Sequence, residues 1–135
     1  MKAIPEGNTK EAREARRQII RQSLNRWKGK TVKCPCLGNV PVLIEQKSID
    51  EISEHAGISL DSTEMALQLP HLIKNARFYR MTLPKNNSLQ KKKFQFIFMY
   101  ELRAESRDGK QAKLTVGIKE IPLMFLQYCV TAVRE

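Results

Sequence analysis

Apolar residues recur at helical spacing early in the chain, at Ala12, Ala15, Ile19 and Trp27, with Ile20 and Leu24 widening the stripe. Asn8 followed by Glu11 has the form of a capping box, so the pattern predicts a helix running to about Lys28, where Gly29 can stop it. From Lys30 the period shortens. Thr31 to Cys34 and Val40 to Glu45 are β-prone runs joined by Pro35-Cys36-Leu37-Gly38-Asn39, which predicts a hairpin. Ser48, with Glu51 three residues on, forms a second capping box and opens a helix through about Ala56, ended by Gly57. A further helix begins at Ser62 or Thr63, is interrupted by Pro70 and continues to Asn75, with Met65, Leu69, Leu72 and Ile73 on its buried side.

The remainder alternates with a period of two. Arg77 to Leu83, Lys93 to Glu105, Gln111 to Glu120 and Phe125 to Arg134 read as strands, and Asp108-Gly109 marks a tight turn that needs positive φ. Phe94, Phe96, Phe98 and Tyr100 point one way; Gln95, Ile97, Met99 and Glu101 point the other. The predicted fold is α+β: N-terminal helices packed on one face of an antiparallel four-stranded β-meander, with a short N-terminal hairpin. Residues 1–8 are expected to be a flexible N-terminus and 9–135 a single domain.

Charge changes the picture. The chain has 135 residues, with 24 Lys+Arg against 14 Asp+Glu and a formal net charge of +10, the footprint of a phosphate-rich partner. Arg13, Arg16, Arg17, Arg21 and Arg26 line the polar face of the first helix; they read as a solvated face balanced by Glu11 and Glu14, or as contacts to successive phosphates. Lys91, Lys92 and Lys93 precede the aromatic strand and would form a phosphate-facing rim, its rings being core. Three cysteines, two of them in Cys34-Pro35-Cys36, argue against a disulfide framework and fit a reducing compartment. With neither a leader-like apolar segment nor a stretch near the roughly 18 apolar residues of a membrane span, a cytoplasmic protein is expected, with no membrane partner.

His55 lies four residues after Glu51 and seven after Ser48, so on a helix the three share one side. Such a histidine can serve as an acid-base group, or can sit at the helix C-terminus simply for the macrodipole. His71 is a secondary candidate. Cys34 and Cys36 match zinc spacing weakly, and neither a Walker loop, a dinucleotide fingerprint nor a nucleophile elbow occurs, so no metal and no cofactor is expected.

Three runs together carry a resemblance: Gly29-Lys30-Thr31-Val32, then Lys47-Ser48-Ile49-Asp50-Glu51-Ile52-Ser53-Glu54-His55-Ala56, then Leu69-Pro70-His71-Leu72-Ile73-Lys74-Asn75-Ala76. Over about residues 19 to 133 the chain resembles the domain associated with large polyvalent proteins of phages and conjugative elements, itself similar to the barnase, EndoU, colicin and RelE-type RNase superfamily. The resemblance implies metal-independent RNA cleavage, in which the ribose 2′-OH attacks the adjacent phosphorus while one group takes its proton and another protonates the leaving 5′ oxygen. It implies His55 as the acid-base residue, Lys47 as charge stabiliser and Ser48 as an orienting or capping group, with Arg77, Thr115 and Tyr128 on the sheet contacting nucleic acid. The Cys34-Pro35-Cys36-Leu37 segment departs from the pattern. RNA or another nucleic acid is the expected partner, with an inhibitor protein as a further one; the alternative is a catalytically silent nucleic-acid-binding or protein-interaction module.

Overall fold

Thr9, one residue beyond the predicted cap, starts the first helix: its hydroxyl accepts the Ala12 amide at 3.1 Å, and α1 runs Lys10–Asn25. The computed structural model describes residues 4–83, 96–121 and 125–135. Next come β1 (Lys30–Cys34), a 3-10 turn (Pro35–Leu37) and β2 (Val40–Ile44), the predicted hairpin. Then follow α2 (Gln46–Ala56), α3 (Leu60–Ala66) and α4 (Leu69–Asn75), and the strands β3 (Arg77–Thr82), β4 (Phe98–Glu105), β5 (Gln111–Ile121) and β6 (Phe125–Arg134). Pro70 stands in the first turn of α4, where its missing N–H costs nothing, so the predicted interruption is the start of a new helix.

Two helix predictions need correction. The second capping box does not form, because α2 begins at Gln46, before Ser48, and Ser48 is buried inside the helix. On the polar face of α1 the expected balance by Glu14 is present, but Arg16 is not solvated and Glu54 of the next helix joins the pairing. Arg17 and Arg21 pair with Glu14 and Glu54, joining α1 to α2. Arg16 is fully buried, its guanidinium donating to the carbonyls of Gly57 at 2.8 Å, Pro5 at 2.9 Å and Ile58 at 3.2 Å. Gly57 and Ile58 follow the C-terminus of α2, where carbonyls lack helical partners and carry the negative end of the dipole, so Arg16 caps α2 from the neighbouring helix. Gly57 itself has φ −69°; it is required by close approach, since a methyl group there would meet Arg17 Cγ at 2.6 Å.

The four consecutive strands β3 to β6 pair antiparallel as a meander, but the sheet does not stop there. It has six strands in the order β1-β2-β6-β5-β4-β3, and β2 joins β6 in parallel through Val42↔Tyr128 and Leu43↔Cys129. The hairpin is therefore part of a mixed sheet and not a separate appendage. Parallel pairing covers an edge of β6 that would otherwise expose unpaired amides and carbonyls, and it places Val42 and Ile44 in the same core as Val130.

The helices cover one face. Ile20 and Leu24 of α1, Ile49 and Ile52 of α2, and Leu72 and Ile73 of α4 meet Leu102, Leu114, Val116 and Val130 of the sheet. On the helix-free face Met99 and Cys129 form a smaller apolar island under Phe96, which precedes β4 and departs from the predicted strand alternation. The Phe96 ring lies on Gly117, where a methyl group would fall within 2.5 Å of three ring carbons. Burial raises the Cys129 thiol to about 12, with Glu45 adding to the shift.

Candidate nucleic-acid interface

Strand register builds the most basic feature of the helix-free face. Arg77 of β3 is the partner of Arg103 in β4, Arg103 of Lys113 in β5, and Lys113 of Arg134 in β6, so four cations occupy one cross-strand row. Adjacent strands lie about 4.8 Å apart, which makes the row about 14 Å long. Like charges directly opposite one another oppose folding, so such a row suits an anionic partner. Arg103 is partly neutralised: it donates to Glu101 at 3.0 Å and lies 4.2 Å from the Tyr79 ring centroid. Arg80 reaches the same carboxylate at 3.5 Å. Arg77, Lys113 and Arg134 form no ion pair among the described residues.

A histidine-containing cleft borders each end of the row. At the Arg77 end the cleft holds His71, Asn75, Glu105 and Arg107, and through His71 and Arg107 it adjoins a groove of about 400 Å³ containing Arg26, Trp27 and Lys74. Asn75 donates to the His71 carbonyl at 2.9 Å and reaches the ring Nδ1 at 3.3 Å, fixing the imidazole against its own helix. Arg107 is placed by the β4–β5 turn: its amide donates to Gln68 Oε1 at 2.8 Å, and Lys110 ties the turn to Asp61 of α3. The predicted positive φ is present at Gly109, 84°. Within this turn, the Ser106 hydroxyl beside Asp108 holds its carboxyl below the usual carboxylate range.

At the Arg134 end, a cleft of about 640 Å³ brings together His55, Arg13, Ser59, Ser62 and Arg134, with Asn8 and Glu135 beside them. His55 is half exposed at the end of α2, and its Nε2 lies 3.5 Å from Glu51 Oε2, the contact expected from their spacing. Ser59 caps α3, its hydroxyl accepting the Ser62 amide at 3.1 Å and donating to Glu135 at 2.7 Å, while the Ser62 hydroxyl donates to the Ala56 carbonyl at the end of α2.

The structure thus brings together only some of the residues singled out from sequence. Lys47 is exposed two helical turns before His55, about 12 Å along the α2 axis. Ser48 is buried and its hydroxyl has no hydrogen-bond partner among the described residues, so it does not face a ligand. Arg77 and Thr115 share the helix-free face, Thr115 lying beside the row as the partner of Glu101. Tyr128 does not join them. It pairs with Ile118 and Val42 on the helix-covered side, 6.4 Å from Tyr100, and burial raises its phenol above the ordinary value. Lys91, Lys92, Lys93 and Phe94 lie outside the described residues. Nothing local in the sequence marks Arg103, Lys113, Arg134 or Arg107; strand register brings the first three into line, and the β4–β5 turn places the fourth.

Among the described residues neither a cluster of metal-ligating side chains nor a helix long and apolar enough to cross a membrane occurs. Cys34 and Cys36 are free thiols with sulfurs 3.5 Å apart, and burial, followed by the hydrogen bond and charge of Cys34, raises Cys36 to about 12.

Fold and surface together define a small α+β domain with one helix-covered sheet face and one basic face. Residues 7–122 match the family described as large polyvalent protein-associated domain 3, and the chain belongs to that family. Neither a curated protein nor a solved structure matches it.

Proposed function

We propose that this domain binds the phosphate backbone of a nucleic acid along the row Arg77, Arg103, Lys113 and Arg134. The observation that carries the reading is the row itself, four cations in register on adjacent strands, three of them without a carboxylate partner among the described residues. Phosphate contacts release condensed counterions, so affinity falls with salt in proportion to the contacts made. For an oligonucleotide titrated at several salt concentrations, Arg77→Ala, Lys113→Ala and Arg134→Ala should each reduce the log–log slope by about one. A slope near zero for the wild-type domain, or salt-tolerant capture of a protein partner alone, would overturn it.

A second reading, metal-independent RNA cleavage, is favoured by the position of His55 at the Arg134 end of the row. The kinship that the sequence resemblance implies between this family and the barnase, colicin and RelE-type RNases supports it as well. His55 would transfer the proton of the attacking 2′-OH or of the leaving 5′ oxygen, and Arg13 and Arg134 would stabilise the phosphorane. The products are a 2′,3′-cyclic phosphate and a free 5′-hydroxyl. In a chelator-containing buffer, His55→Ala should abolish cleavage of a generic RNA while leaving thermal stability nearly unchanged. Cleavage that survives this substitution would remove His55 from the chemistry.

A further inference from the structure

The groove beyond the Arg77 end contains the chain's single tryptophan. Trp27 packs part of its surface on the core while also lining the groove, beside Arg26, Lys74 and Arg107. None of these three cations has a carboxylate partner among the described residues; Arg26 donates only to the Ser23 carbonyl at 3.2 Å. Leu67 and Pro70 supply further apolar wall. An aromatic surface set among unneutralised cations matches both halves of a nucleotide, a flat π-face and a phosphate. A duplex keeps its base faces stacked inside the helix, so a ligand that uses this indole must present an unpaired base.

We infer that the Trp27 groove is a stacking site for an unpaired nucleobase, and that it makes the domain selective for single-stranded nucleic acid. The strand's phosphates would lie on Lys74 and Arg107 and continue past Arg77 onto the sheet. This inference rests on the backbone-binding reading above and adds base recognition to it. A groove of about 400 Å³ is of the size that holds one small ligand rather than a duplex edge.

The test uses Trp27 as its own reporter, because no other tryptophan contributes to the emission. The full chain is titrated with a short oligouridylate, with a blunt RNA duplex and with inorganic polyphosphate at one ionic strength, following both affinity and fluorescence. The oligouridylate should bind and quench the emission, whereas duplex and polyphosphate should bind more weakly and without quenching. Trp27→Leu should weaken oligouridylate binding about 5- to 150-fold, the range for one base–aromatic stack, while Trp27→Phe retains most of it. Polyphosphate affinity should be unchanged in both variants. Equal affinity for oligouridylate and polyphosphate, with no quenching, would overturn base stacking and leave backbone binding standing. Absence of salt-dependent binding to all three probes would overturn both. The wild-type quenching decides the matter even where Trp27→Leu fails to fold.

Discussion

Replacing Arg16 with methionine keeps an unbranched aliphatic stem but removes three hydrogen bonds, two to the C-terminus of α2 and one to the N-terminal segment at Pro5. The guanidinium is fully buried and donates to Gly57, Pro5 and Ile58. Only the Gly57 bond is wholly buried; the other two are part-buried, and their carbonyls regain water when the donor is lost. The full penalty of an unsatisfied acceptor, about 1–3 kcal/mol, therefore falls on Gly57. Loss of the two tethers adds to it, and relief from burying a cation offsets part of the total. A net loss of about 2–4 kcal/mol is expected. At a urea m-value of about 2 kcal/mol/M, the unfolding midpoint, read from Trp27 emission, should fall by about 1–2 M with m unchanged. Arg16→Lys, which keeps the charge and can retain one of the three bonds, should fall between the two. A midpoint for Arg16→Met within about 0.3 M of wild type would refute a capping role; equal loss in both variants would show that the fork geometry alone matters.

Gly117→Ala should cost about 1–3 kcal/mol by overpacking against Phe96, and much less in a Phe96→Ala background; additive costs in that double-mutant cycle would remove the contact. Glu101→Gln frees Arg80 and Arg103, so oligonucleotide binding should tighten and its salt slope steepen by about one, whereas weaker binding would place Glu101 among the contacts. Ser48→Ala should raise stability by about 1 kcal/mol because it deletes a buried hydroxyl without a partner, and should leave RNA binding intact; lost binding or cleavage would return Ser48 to the site. The fold holds Cys36 and Cys129 protonated, so the stability they add is present below the ordinary thiol value of 9.0 and is lost as pH rises from there toward about 12. Melting temperature should decline over that interval, and Cys129→Ala should flatten the decline; a wild-type curve that stays flat would contradict the shifts.

Element positions were largely legible in the chain. The predicted hairpin, the three helical regions and the strands from Arg77, Gln111 and Phe125 appear within a few residues, because periodicity, turn residues and proline placement act over short separations; the strand expected from Lys93 begins at Phe98, residues 93–95 lying outside the described ones. The Glu51 to His55 contact was also legible, since an i,i+4 spacing fixes it locally. Capping was less so. Thr9 displaces Asn8, and Glu45 precedes α2 where Ser48 was expected, because several polar residues near a helix start compete for one position and packing chooses among them.

By itself the sequence determined which segments are helix or strand, the surplus of positive charge and membership in the polyvalent protein-associated family. Tertiary structure decided what that charge does. It buried Arg16, neutralised Arg17 and Arg21 against Glu14 and Glu54, and left Arg77, Lys113 and Arg134 in one row. Pairing across strands far apart in the chain sets that row, and bulges at Phe78/Arg80 and Thr115/Val116 shift which residue meets which. A one-residue slip would send each cation to the opposite face, so the basic surface exists only once the whole sheet is registered.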